Sequence, residues 1–129
     1  MVKIKLRLTA LDCPDPIALA NFYAGLLGLE VEPLGDFKPE DVTWIEVVRS
    51  DGSAVLGFQK AGNYVAPTWP EGPVPQQLHL DIAVDDPDEG EALALSLGAT
   101  KAATQPGDSW RVFLDPAGHP FCLVFGASA

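Results

Sequence analysis

Cationic side chains are scarce in this chain. Eight Lys and Arg stand against 18 Asp and Glu, for a formal net charge of −10. Such a surface repels nucleic-acid phosphates and anionic membranes, so neither is expected as a partner. It attracts cations, although solubility alone also accounts for it. Cysteine is limited to Cys13 and Cys122, too few for a disulfide framework, and both thiols are expected reduced. No run of about 18 apolar residues occurs, which excludes a membrane-spanning helix. The opening MVKIKLRLTA alternates charged and apolar residues, where a signal peptide needs a continuous apolar stretch. It reads as a strand, and the expected location is the cytoplasm. GxSxG and a Gly-rich phosphate loop are both missing, which removes serine hydrolysis of that type and nucleotide binding. Histidine is limited to His79 and His119.

What is present is a pattern that occurs twice. LTALDCPDPIALANFYAGLLGLE, from Leu8, is echoed by LHLDIAVDDPDEGEALALSLGAT, from Leu78. Each runs through an Asp-Pro pair, Asp15-Pro16 and Asp86-Pro87. Asp accepts from the free amides of a first helical turn, and Pro fits the first helical position. A first helix is expected over Pro16–Leu27, with Leu19, Phe22, Tyr23 and Leu26 as its apolar stripe and Gly28 ending it. A second is expected over Pro87–Leu97, with Leu93 and Leu97 as its stripe and Gly98 closing it. TWIEVV and AVLGFQ flank the turn Ser50-Asp51-Gly52, and SWRVFL and FCLVF flank Asp115-Pro116-Ala117-Gly118. Both read as hairpins, each with a Trp near the start, Trp44 and Trp110. The Pro- and Gly-rich stretch 61–76 between the copies reads as an ordered linker. The sequence therefore supports an α+β chain of two tandem βαβββ modules, about residues 4–60 and 77–126, in a single domain of 129 residues.

In LHLDIAV the apolar Leu78, Leu80, Ile82 and Val84 face one side, and His79, Asp81 and Ala83 face the other. The apolar side should meet a helix, which leaves His79 and Asp81 on a face suited to a pocket. Imidazole can serve as acid or base near neutral pH, and Asp81 would orient it if it reached. If Phe121 and Leu123 face the helix, Cys122 joins that side. A small buried filler is its commoner use, and a nucleophilic role would need a cation such as Arg111, or His79, beside it. His119 and Asp115 read as turn residues. Trp44, Trp69 and Trp110 serve either as packing or as aromatic walls for a flat or cationic ligand.

The segments DPIALANFYAGLLGLEV, LHLDIAVDD and DPAGHPFCLVF, taken in order, resemble the vicinal oxygen chelate superfamily over about residues 4–126. That group includes glyoxalase I, extradiol dioxygenases, fosfomycin-resistance enzymes and bleomycin-binding proteins. The likeness is to its small stand-alone glyoxalase-like members. It implies a cup-shaped mixed sheet with the helices on its outer face, and a homodimer. It also implies four metal-ligand positions, near Leu8, Gly57, His79 and Cys122. Leucine and glycine cannot ligate, so no family-type metal site and no cofactor are expected. The expected function is small-molecule binding, with a cationic or aromatic organic ligand lined by Gln59, His79, Asp81, Phe113, Cys122 and Trp44. The alternatives are a lyase or isomerase with His79 as general base or an atypical metal site, and a non-catalytic interaction module.

Overall fold

The computed structural model describes residues 1–126. The chain divides into two compact units, with the boundary between Tyr64 and Val65. In the first unit β1 (Thr9–Cys13) leads into α1 (Pro16–Leu27), followed by β2 (Glu30–Val31), β3 (Trp44–Val48) and β4 (Ala54–Lys60). The second repeats the order with β5 (Leu80–Ala83), α2 (Pro87–Ser96), β6 (Thr100–Lys101), β7 (Trp110–Leu114) and β8 (Pro120–Val124). The two four-stranded sheets have matching orders, β1-β4-β3-β2 and β5-β8-β7-β6, each with one parallel pair and two antiparallel pairs. The fold is α+β, built from two βαβββ modules.

Local chemistry explains why the elements start and stop where they do. Asp15 caps α1 by accepting from Ala18 N, and Asp86 caps α2 by accepting from Asp88 N and Glu89 N. Asp86→Ala should lower the melting temperature, at a cost of about 1 kcal/mol. Gly28 takes the left-handed φ of 67° that ends α1. In the β7–β8 turn the buried Asp115 accepts from Ala117 N and His119 N, which gives it the turn role its sequence context suggests. The β3–β4 turn closes through Arg49 N to Ser53 O and Gly52 N to Arg49 O.

Each helix packs on one face of its own sheet. Under α1 lie Ile45, Val47, Leu56 and Phe58, and Tyr23 stacks on Phe58 at 5.8 Å. The buried stripe of α1 includes Leu19, Phe22 and Tyr23, with Leu26 half-buried. The expected stripe of α2 needs correction. Leu93 is 43% exposed, and the buried positions are Gly90 and Ala94, with Leu97 half-buried. A small-residue face lets α2 approach closely enough for Val84 and Leu123 to fill the space beside Gly90.

The opening segment also departs from expectation. Regular strand begins at Thr9, and Val2, Ile4 and Leu6 are exposed. Alternation supplies a strand pattern, but a strand also needs a pairing partner, and the described β1–β4 register starts at Thr9↔Leu56.

Candidate functional site

The period-2 rule, applied to the observed registers, sorts the side chains of the second module. Asp81 pairs with Cys122, and Cys122 with Val112, so these three share the face away from α2. Leu80 and Phe121 face the helix with Leu123, whose side chain lies near Gly90 of α2. His79 precedes β5 and falls in phase with Asp81. Its Nε2 lies 3.2 Å from Asp81 Oδ1, so the carboxylate does reach the ring. One donor atom each from His79, Asp81 and Cys122 lies within 4.8 Å of the others.

Beside this cluster is a pocket of about 130 Å³, lined among others by Trp69, Gln76, His79, Trp110, Val112 and Cys122. Trp69 and Trp110 pack on the buried Ala102, Val112 and Cys122. Trp69 reaches this place from the linker. Thr68 N donates to Val74 O at 2.6 Å and Val74 N to Thr68 Oγ1 at 3.1 Å, which closes a small loop around the cis Trp69-Pro70 bond. Gln76 Oε1 is buried in this region, and no described residue donates to it.

Burial pushes the Cys122 thiol up to about 11 from an ordinary 9.0, and the Asp81 carboxylate, to which it hydrogen-bonds, adds to the shift. Arg111, the cation that could have lowered it, faces the other way. It pairs with Asp88 at 3.0 Å and Glu91 at 3.3 Å, and it donates to Pro87 O. Cys122 is thus a neutral donor at pH 7, not a nucleophile. Alkylation of the Cys122 peptide at pH 8 should run about a hundredfold slower than that of an ordinary thiol. Mass spectrometry across a pH series should place its midpoint well above 9.0. The unfolded thiol ionises first on raising pH. The stability this group contributes is therefore complete below about 9 and lost as pH climbs through the folded value.

The remaining sequence candidates lie elsewhere. Phe113 pairs with Phe121 on the helix side, fully buried and stacked on it at 5.6 Å, so it does not join the pocket. Trp44 and Gln59 lie opposite each other in the first module. Trp44 donates to Glu46 Oε2 at 2.9 Å, and its ring lies so close over Gly57 that a Cβ there would collide with it. Gln59 is exposed beside Asp12 on that same face.

The repeat makes a direct comparison possible. By sheet register Leu8, Ala10 and Gly57 stand in the first module where His79, Asp81 and Cys122 stand in the second. The scaffold is duplicated, and the donor set occurs in one copy. A four-ligand metal site drawing on Leu8 and Gly57 does not fit this chain, because neither side chain has a lone pair and Trp44 occupies the space over Gly57.

A larger concavity of about 610 Å³ lies in the first module, bordered by Arg7, Glu46, Arg49 and Asp51. These groups are already engaged. Arg7 pairs with Glu46 at 2.7 Å, Arg49 donates to Ser53 Oγ, and Asp51 accepts from Ser53 N and Oγ. The Arg7 bond holds the Glu46 carboxyl below its ordinary range. The second-module pocket is therefore the better candidate, although it is smaller.

A family model described as a glyoxalase-like domain matches residues 9–124. No curated protein matches the sequence. Several solved structures share the fold. A glyoxalase/bleomycin resistance protein/dioxygenase family enzyme from Burkholderia phytofirmans PsJN is 18% identical, with a TM-score of 0.63 over 95% of this chain and 98% of that one. Protein ATC0852 from Agrobacterium tumefaciens is 23% identical, with a TM-score of 0.64 over 97% and 99%. A fosfomycin resistance protein from Mesorhizobium loti is 16% identical, with a TM-score of 0.66 over 98% and 94%.

Proposed function

The chain belongs to the glyoxalase-like domain family, and from that premise we propose that it binds a small organic molecule in the second-module pocket. The observation that carries this reading is the orphaned Gln76 Oε1 in a pocket walled by Trp69 and Trp110. A buried acceptor left without a donor costs about 1–3 kcal/mol, and a ligand N–H or O–H group would recover it. The Trp rings and the nearby Asp81 carboxylate favour an aromatic or cationic group. About 130 Å³ is well below the roughly 300–1,000 Å³ of pockets that enclose a whole drug-sized ligand. The pocket thus takes one end of such a molecule.

The test is a fluorescence screen of small aromatic and amine-bearing compounds with chelator present. Saturable quenching with no product is the expected result, and Gln76→Leu should weaken binding of donor-bearing hits about tenfold. Failure of every compound in the screen to change the emission would sink the reading.

The 3.2 Å contact between His79 and Asp81 favours a second reading, a lyase or isomerase with His79 as general base. A carboxylate at that distance fixes the orientation of the imidazole, which a general base needs. If a hit is turned over, His79→Ala should lower the rate roughly 10²- to 10⁴-fold, well beyond the loss of binding that removing a pocket-lining ring causes.

A further inference from the structure

We propose that His79, Asp81 and Cys122 form a three-ligand site for a thiophilic divalent cation of the zinc type, contained wholly within the second module. This is not the four-position arrangement excluded above, which would span both copies and take no ligand from Asp81.

The first support is geometric. Three donors of three chemical types converge, from β5, the residue before it and β8, with one atom from each within 4.8 Å of the others. Ligands roughly 2.0–2.3 Å from a tetrahedral zinc stand about 3.3–3.8 Å apart. Closing the widest gap takes an inward shift of about 1.0–1.5 Å, and His79 Nε2 and Asp81 Oδ1 already stand 3.2 Å apart. Cys122 is fixed in the sheet, while the His79 and Asp81 side chains are 43% and 62% exposed and have room to turn. The rigid ligand is thus the thiol, and the two adjustable ones come from β5 and the residue just before it.

The donor set then selects the ion. One nitrogen, one sulfur and one carboxylate oxygen suit zinc, nickel or cobalt and not magnesium or calcium, which take oxygen alone. Three protein ligands leave a fourth position open, as at catalytic zinc sites. His79 and Cys122 both line the aromatic pocket, so that open position has a cavity beside it. The net charge of −10 favours the approach of any cation. Binding is balanced by loss of the thiol proton to solvent as the sulfur–metal bond forms. The S–H hydrogen bond to Asp81 is replaced by joint coordination.

This proposal does not rest on the organic-ligand reading, and its readout is separate. Metal-stripped protein is titrated with cobalt(II) under reducing conditions. The expected result is a near-ultraviolet thiolate-to-cobalt charge-transfer band that saturates at one equivalent and is displaced by zinc. Cys122→Ala should abolish the band, and His79→Ala, at an exposed position, should weaken zinc binding at least tenfold with an unchanged circular dichroism spectrum. Absence of the band in the wild-type protein would overturn the proposal. So would its survival in Cys122→Ala, which would assign it to Cys13, or equal competition by magnesium.

Discussion

Phe121→Ala should destabilise the protein by about 3–5 kcal/mol, read as a shift in the denaturant midpoint with an unchanged slope. Phe121 is fully buried, stacks on Phe113 at 5.6 Å, and lies in β8 between β5 and β7. Truncation removes the ring contacts and leaves a cavity that the flanking strands cannot collapse to fill. A loss of that size is a large part of the roughly 5–15 kcal/mol that holds a domain folded. Phe37→Ala, at a position 69% exposed, is the control and should change stability by about 0.5 kcal/mol or less. Comparable losses at the two positions would contradict the packing described here.

Gly90→Val should cost roughly 1–3 kcal/mol. At an exposed helix position, replacing Gly by Ala gains about 1 kcal/mol of helix propensity. Here a Cβ would stand 2.7 Å from Val84 Cγ2 and 3.3 Å from Leu123 Cδ1. Val84 is β-branched and has little rotamer freedom to move aside. The steric term therefore exceeds the propensity term, and Gly90→Ala should be destabilising as well, by less. Thermal melts of both variants check the order, and a stabilised Gly90→Ala would show that α2 sits further from its sheet.

Much of this architecture is legible in the sequence because it is encoded locally. Asp-Pro pairs set both helix starts, and α1 runs over Pro16–Leu27 as its spacing predicts. Both hairpins fall where their turn residues place them. The side of the sheet taken by His79 and Asp81 follows from two-residue alternation. Other features depend on contacts that no local pattern carries. Cys122 meets Asp81 only through the parallel β5–β8 pairing. In the sequence Asp81 stands out as a partner for the His79 ring, and nothing local marks it as a neighbour of the thiol. The expectation that Phe113 lines the pocket fails because hairpin register is not fixed by composition. With Val112 opposite Cys122, a one-residue difference sends Phe113 to the other face. Gln76 carried no signal, since a glutamine in a linker looks solvated until the chain folds over it. Trp69 carried a partial one, as an aromatic with no periodic element beneath it.

The most direct test of the binding reading is a ¹⁵N–¹H titration of the labelled protein with the best hit from the screen. The three Trp indole N–H signals, assigned by Trp→Phe substitution, report the two modules separately. Trp69 and Trp110 should shift with saturation while Trp44 stays in place. Shifts confined to Trp44, or centred on Arg7 and Arg49 of the first-module concavity, would contradict it.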